Sequence, residues 1–190
     1  MVRLPKDYKI TRADPEEISQ LIEVNIAGDT LFADTGLIDP ADFGTHIPEE
    51  VFAESIAARD VFVARHGKAE KPVGFTLTSH RGDTLYLDQI SVHPDHGKQG
   101  LGRALVQRVL EDARDRGFKQ VTLSTFKDVA WNGPFYRKLG FKPIKPEKIF
   151  DAAVMTVRVN HSKGGLWVVH EPSDKLYRLD PEYKWLPNPR

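Results

Sequence analysis

The residues best suited to chemistry lie between Ile90 and Leu105, where a strand-like run leads through a glycine-rich, basic turn into an amphipathic pattern. Glycines let backbone amides approach a ligand closely, and the first turn of a helix carries a partial positive charge. Lys98 and Arg103 add full positive charges to the same segment. Together these features predict a cradle for an anionic group such as a phosphate.

The common nucleotide-binding motifs do not match this turn. A dinucleotide-binding fingerprint needs a third glycine three residues after Gly102, where Leu105 stands. A Walker A loop needs Gly-Lys followed by Ser or Thr, and that combination is absent. The sequence therefore favours an anion-binding turn of another kind.

The elements that position the turn follow from hydrophobic periodicity and from turn residues. A helix begins after Asp14-Pro15, and Gly28-Asp29 is expected to break it, leaving a loop-rich stretch to residue 48. A stripe of apolar residues predicts a helix over 100–116, with Gly117 as its cap. The other predicted elements are strands over 8–12, 61–64, 73–78, 84–92, 120–125 and 154–159, and helices over 48–59 and 134–139. This order favours a mixed α/β sheet.

Composition narrows the class of protein. A chain of 190 residues with 40% hydrophobic content predicts one domain with a sizeable core. The absence of cysteine excludes disulfides and thiolate nucleophiles. The mixed, charged N-terminal residues and the lack of a long apolar run lead us to expect a soluble, cytoplasmic protein with no membrane partner. Basic residues are not interleaved with aromatics as in a nucleic-acid-binding patch, so no nucleic-acid partner is expected.

Charge is distributed unevenly along the chain. Residues 14–58 contain eleven acidic residues and no Lys or Arg, so the remainder carries all 27 basic residues and 16 of the 27 acidic ones. Such asymmetry bears on which ligands each part attracts. Solvated helix faces are a somewhat better explanation of the acidic stretch than a dedicated acidic pocket.

Two blocks of the sequence resemble the signatures of the GNAT superfamily of acyl-CoA N-acyltransferases. The turn from Gly97 to Gly102 is similar to the pyrophosphate-binding pattern Gln/Arg-x-x-Gly-x-Gly/Ala, with Gly97 at the Gln/Arg position. A second block, Asn132 to Phe141, resembles Asn-x-x-(Ala/Pro)-Phe-Tyr-x-x-x-Gly-Phe. The resemblance covers about 8–159 as an N-acetyltransferase domain, and we expect 160–190 to form an extension packed on the domain or on a dimer partner.

The resemblance implies an α/β GNAT fold, with a mixed, mostly antiparallel central sheet that is splayed between its fourth and fifth strands and flanked by helices. It also implies acetyl-CoA as co-substrate, no metal, and a possible homodimer. Tyr136 takes the position of the acid that protonates the leaving thiolate, and Asn132 the position that touches the cofactor or the sulfur. The implied cofactor-binding residues are Ile90, Ser91, Val92, Gly97, Lys98, Gln99, Gly100, Leu101, Gly102, Arg103, Asn132, Phe135 and Tyr136.

An amine acceptor must lose a proton before it can attack, because an alkylammonium has a pKa near 10.4. Asp88 is the first candidate for the base, since strand alternation places it on one face with Ile90 and Val92. The alternative for Asp88 is a structural role as a hydrogen-bond partner. Tyr86 and His93 are second choices, and water alone also serves. His93 and His96 lack a third suitable ligand nearby, so we predict no metal site.

The acidic segment leads us to expect a small cationic amine as acceptor, because in GNAT folds this region forms a wall of the acceptor site. The carboxylates concerned are Asp29, Asp34, Asp39, Asp42, Glu49, Glu50 and Glu54. Two alternatives stay open: a GNAT-fold module that binds acyl-CoA as a sensor or scaffold without turnover, and a protein or peptide N-acetyltransferase.

Overall fold

The computed structural model describes residues 4–35, 44–123, 125 and 129–142, together with the backbone of 155–158. Six strands form one sheet in the order in which they occur in the chain. The elements are β1 (Tyr8–Arg12), α1 (Ile18–Asp29), α2 (Glu49–Ala57), β2 (Val61–His66), β3 (Lys71–Arg81), β4 (Thr84–Val92), α3 (Leu101–Asp115), β5 (Gln120–Leu123), α4 (Asn132–Lys138) and β6 (Met155–Arg158). Short 3-10 helices occupy Pro15–Glu17, Thr30–Thr35 and Pro94–His96.

The mixed sheet predicted from the element order is confirmed. The pairs β1–β2, β2–β3 and β5–β6 are antiparallel, whereas β4–β5 is parallel. Among the described residues, the parallel pairing covers Thr84 to Leu87 of β4, which then runs on to Val92. The fourth strand therefore continues beyond its pairing with the fifth, as the resemblance implies.

The chain divides into two compact units, and the predicted boundary at residue 160 lies outside the described residues. The first unit comprises Met1–Thr78 and Gln89–Val109. Its apolar core is built by β1, α1, α2, β2 and β3, and the rings of Phe52 and Phe75 meet edge to face at 5.3 Å. Buried members of this core are Ala13, Leu21, Val24, Ile47, Phe52, Ile56, Val61, Val63, Phe75 and Leu77.

The second unit comprises Ser79–Asp88 and Leu110–Arg190. Its described buried apolar residues come from β4, the end of α3, β5 and α4, together with Val129 and Phe141 on either side of α4. Gly117, at φ 79°, ends α3 as predicted, and Phe118 N donates to Ala113 O at 2.9 Å. Thr84 pairs with Gln120 at the start of the parallel ladder.

The prediction that the first helix ends at Gly28-Asp29 is confirmed, because α1 ends at Asp29 and the 3-10 helix Thr30–Thr35 follows. Gly28 is buried, and a Cβ added to it would lie 3.2 Å from Ser91 Cβ. The glycine is therefore needed for a close approach between α1 and β4 rather than for a turn. The predicted loop then begins with the 3-10 helix Thr30–Thr35, and residues 36–43 lie outside the described part.

A buried arginine joins the first strand to the start of α1. Arg65 on β2 is 5% exposed, and its Nε and Nη2 donate to the two carboxylate oxygens of Glu17 at 2.8 and 2.6 Å. Arg65 also donates to Thr11 Oγ1 and, at 3.1 Å, to Arg12 O. A bidentate pair satisfied in this way is held in one geometry and fixes where the chain enters α1.

Within the described part of the chain, none of the helices combines the length and the apolar character that crossing a bilayer requires.

Arg65→Leu should lower the free energy of unfolding by about 3 kcal/mol, because the partly buried Glu17 carboxylate would lose its cation. The double variant Arg65→Leu/Glu17→Leu should recover part of that loss, since no uncompensated carboxylate remains. Urea unfolding of the wild type and both variants measures the difference. Equal losses in the single and the double variant would contradict the ion pair's importance.

Candidate functional site

The predicted anion cradle lies where β4 passes into α3. His93 N donates to Val73 O at 2.9 Å, which ties the end of β4 to β3. A 3-10 turn follows, in which His96 N and Gly97 N donate to the carbonyls of His93 and Pro94, each at 2.9 Å. The start of the cradle is thus anchored to the sheet by backbone hydrogen bonds.

The cradle itself uses left-handed backbone on both sides of Gln99. Lys98 has φ 57° and Gly100 has φ 83°. A turn that includes left-handed residues gathers successive amides into a concavity suited to anions. Space beside Gly100 is open, with no described atom within 4 Å of the position that a Cβ would take.

The first amides of α3 add donors to the same place. Ala104 N donates to Gly100 O at 3.0 Å in the first turn of the helix. The amides of Leu101, Gly102 and Arg103 precede this bond, and a helix offers such amides no internal acceptor. Lys98 and Arg103 have exposed side chains. Helix amides and two exposed cations are a donor set suited to a pyrophosphate.

The structure explains why glycine stands where the GNAT pattern has Gln or Arg. A Cβ on Gly97 would lie 2.9 Å from the Pro94 carbonyl oxygen, closer than real Cβ contacts allow. The 3-10 turn before it therefore requires glycine. Compared with the GNAT pattern, the cradle keeps its backbone amide donors but lacks the Gln or Arg side chain at position 97.

The predicted alternation along β4 is confirmed at the end of the strand. Gln89 Nε2 donates to Ser91 Oγ at 3.0 Å, so these two side chains share a face. Ser91 is buried against Gly28 of α1, whereas Val92 Cγ2 lies near Gly74 and Leu105. Ser91 could thus contact a cofactor only through its backbone, and Ile90 and Val92 are half-buried.

Histidines surround the approach to the cradle. The Tyr8 hydroxyl lies 2.8 Å from His96 Nδ1, and the ring centroids of His66 and His93 lie 5.0 and 6.1 Å from that of His96. Burial, followed by electrostatic interaction with His66 and His93, lowers the pKa of His96. The lowered pKa favours the neutral imidazole, which suits a hydrogen-bonding role. Sequence reasoning missed Tyr8, which nothing local distinguishes from a strand residue.

The second unit holds the residues of the other signature. Asn132 is the first residue of α4 and directly follows Trp131, which caps the helix. Tyr136 is buried, and its ring meets those of Phe135 and Phe141 edge to face at 4.9 Å each. These contacts fix the direction of the phenol, which is the first requirement for a positioned proton donor.

Asp88, also in the second unit, is largely enclosed. Its side chain is 7% exposed and lies 4.0 Å from Arg81 Nη2. The guanidinium of Arg81 in turn stacks over the ring of Tyr86 at 4.1 Å. This arrangement offsets the charge of Asp88, which is as compatible with a structural role as with a catalytic one.

The acidic segment divides into three environments. Asp14 and Glu17 pair with Arg65, while Asp34, Glu49, Glu50 and Glu54 are exposed; Asp39 and Asp42 lie outside the described residues. Asp29 differs from both groups, because burial raises its pKa to about 6. The sequence shows the charges of the segment but does not separate these environments.

The strand Ile90–Val92, the cradle Gly97–Arg103 and Asp29 belong to the first unit. Asp88, Asn132, Phe135 and Tyr136 belong to the second. Among the described residues, no group of three or more His, Cys, Asp or Glu side chains could hold a metal ion.

The curated proteins that resemble this chain include several N-acetyltransferases. The chain is 32% identical over 69 residues to the thialysine N-epsilon-acetyltransferase of Bos taurus, covering 35% of this chain and 39% of that protein. It is 34% identical over 71 residues to the [ribosomal protein bS18]-alanine N-acetyltransferase of Escherichia coli K12, covering 37% and 48%. The curated relatives are thus matched over less than half of their own length.

A solved structure shows the same fold. The PaiA N-acetyltransferase from Thermoplasma acidophilum in complex with coenzyme A superposes with a TM-score of 0.61 at 17% identity, covering 74% of this chain and 93% of that one. The model of the Acetyltransferase (GNAT) family matches residues 31–141, which is more than half of the chain and includes both signature blocks. The chain therefore belongs to the GNAT acetyltransferase family.

Proposed function

We propose that the protein transfers an acetyl group from acetyl-CoA to a primary amine by direct attack within a ternary complex. The observation that carries the proposal is the cradle from Gly97 to Arg103, with its left-handed backbone at Lys98 and Gly100 and the first amides of α3. Acetyl-CoA supplies the activated acyl group as a thioester.

The residues present fit the coenzyme. Amides of Leu101, Gly102 and Arg103 offer donors to a pyrophosphate, and the exposed ammonium of Lys98 adds positive charge. Beside Gly100 there is room for a close approach. The backbone of Ile90 and Val92, at the end of β4, would pair with the pantetheine arm, and the Val92 amide would stabilise charge on the thioester oxygen.

Tyr136 is proposed as the acid that protonates the leaving thiolate, with Asn132 and Phe135 contacting the coenzyme. The support is their match to the family signature and the packing that orients the Tyr136 ring. Asp88 is the base predicted from the sequence, with Tyr86, His93 or water as the alternatives.

The acceptor is proposed to be a small cationic amine. The exposed carboxylates at Asp34, Glu49, Glu50 and Glu54 support it, because they give the segment a negative potential that attracts ammonium groups. The bovine relative, whose name gives thialysine as its substrate, supports the same class. The bacterial relative, named for a ribosomal protein's alanine, favours a peptide N-terminus as the second candidate.

Gly100→Ala should weaken acetyl-CoA binding about tenfold, or about 1.4 kcal/mol, because the methyl group narrows the cradle and strains its left-handed backbone. Gly67→Ala is a matched control: Gly67 also has a positive φ, 70°, with no described atom within 4 Å of an added Cβ, but it lies in the turn after β2. Isothermal titration with acetyl-CoA measures both variants. Equal losses of affinity, or none in Gly100→Ala, would refute the cradle.

Tyr136→Phe should lower acetyl transfer at least about tenfold, equivalent to about 1.4 kcal/mol of transition-state stabilisation, because the thiolate would leave without a proton. Release of free CoA thiol across a panel of amines gives the rate. Acetyl-CoA affinity and thermal unfolding of the variant serve as controls, since the buried ring is retained. Binding of acetyl-CoA without turnover of any amine in the wild type would instead favour a sensor.

Cationic amines should be acetylated faster than neutral or anionic ones at low ionic strength, and added salt should reduce the difference. Replacing Glu49, Glu50 and Glu54 together by Gln should raise KM for cationic acceptors several-fold, while Glu16→Gln, an exposed acid beyond the other end of α1, should not. A preference for the N-terminus of a peptide that has no charged side chains, at a rate unchanged by salt, would support the second candidate instead.

A further inference from the structure

Asp29 occupies a position that is unfavourable for a carboxylate. It is the last residue of α1, where the helix carbonyls carry a partial negative charge. It is also half-buried, and its described hydrogen bond comes from Asn25 Nδ2 at a long 3.3 Å. Residues that break such local rules are most often found at functional sites.

The position of Asp29 is fixed by its neighbours on α1. Asn25, one turn earlier, is buried, and its Oδ1 accepts a hydrogen bond from Ile47 N at 3.1 Å. Gly28, the preceding residue, lies in contact with Ser91 of β4. Ser91 stands between Ile90 and Val92, the residues proposed to hold the acyl donor. Asp29 therefore directly follows the residue through which α1 approaches the donor strand.

Burial raises the pKa of Asp29 to about 6. At pH 7 the carboxyl group is mostly ionised, yet it binds a proton more strongly than an exposed aspartate, which improves a general base. Two neighbouring segments carry other titratable groups. Residues 44–48 contain His46, and the 3-10 helix Thr30–Thr35, which follows α1, contains Asp34. Gln89 and Ser91 bring no charge from β4, and burial is the cause of the shift.

We propose that Asp29 binds the ammonium group of the acceptor and takes its proton. The inference rests on the proposed function. One proton passes from the acceptor nitrogen to the Asp29 carboxylate and on to solvent. The nitrogen then forms a bond to the acetyl carbon, and the carbon–sulfur bond breaks. The second nitrogen proton is lost as the amide forms, and the thiolate gains a proton, so that the products are an acetamide, free CoA thiol and one released proton.

The role predicts a specific pH profile. Below pH 6 the Asp29 carboxyl group is protonated and cannot accept a proton, so kcat/KM for a cationic amine should fall as the pH drops through about 6. Asp29→Asn removes the titrating group but keeps an oxygen that can accept from Asn25. That variant should lose this acidic limb and at least about a hundredfold in kcat/KM.

The experiment measures pH profiles of CoA thiol release for the wild type, Asp29→Asn, Asp88→Asn and the control Glu16→Gln. Acetyl-CoA titration and thermal unfolding of Asp29→Asn show whether the variant is folded and binds the donor. We expect Asp29→Asn to lose the fall of kcat/KM at acidic pH while it still binds acetyl-CoA. Glu16→Gln should keep the wild-type pH profile. A limb that survives in Asp29→Asn, or disappears only in Asp88→Asn, overturns the inference while leaving the proposed function standing. A wild type that acetylates no amine overturns both.

Should Asp29→Asn fail to fold, the wild type still decides. The chemical shift of the Asp29 side-chain carbonyl carbon should titrate near pH 6 and move when a cationic amine is added with CoA bound. A carbonyl shift that is indifferent to the amine overturns the inference.

Discussion

The approach of β4 to α3 across Gly74 is the constraint on which the cradle depends. A Cβ on this β3 residue would lie 3.0 Å from Ser91 O, 3.2 Å from Val92 Cγ2 and 3.4 Å from Leu105 Cδ1. With hydrogen in that place, Leu105 packs directly over the strand pair and sets where α3 begins. The turn that joins β4 to α3 must then span a short, fixed distance. The left-handed backbone at Lys98 and Gly100 lets the chain reverse within that distance.

A second glycine makes the equivalent contact with the neighbouring residue of β4. Gly28 lets the end of α1 reach Ser91, whose side chain alternates to the face opposite that of Val92. Two helices thus meet the end of β4 at successive residues, and each does so through a glycine. Their termini have opposite electrostatic character: the amide end of α3 suits an anion, and the carbonyl end of α1 suits a cation. The end of β4 lies between an anion-attracting and a cation-attracting terminus.

Sequence patterns predicted those elements whose causes are local. The apolar stripe of α3, its Gly117 cap and the strands β2, β3 and β4 agree with the predictions, because periodicity and turn residues act over a few positions. The close approach of Gly28 to Ser91 is not predicted, since a glycine near a helix end indicates only a break and Ser91 is more than sixty residues away. Arg65 and Glu17 likewise pair across 48 positions, which no local pattern reveals.

The two candidate bases show why a carboxylate's sequence position says little about its chemistry. Strand alternation predicts Asp88 as the base, but it indicates only the face of the strand and not the neighbouring side chains. In the structure, the Asp88 carboxylate lies beside Arg81. Asp29 is one of eleven acidic residues in a charged segment. It differs from the others that the structure describes because partial burial at the end of α1 raises its pKa. An aspartate whose charge is offset by a guanidinium has less to gain from an approaching ammonium. One that is partly desolvated gains more, because the ammonium replaces the hydration that burial removed.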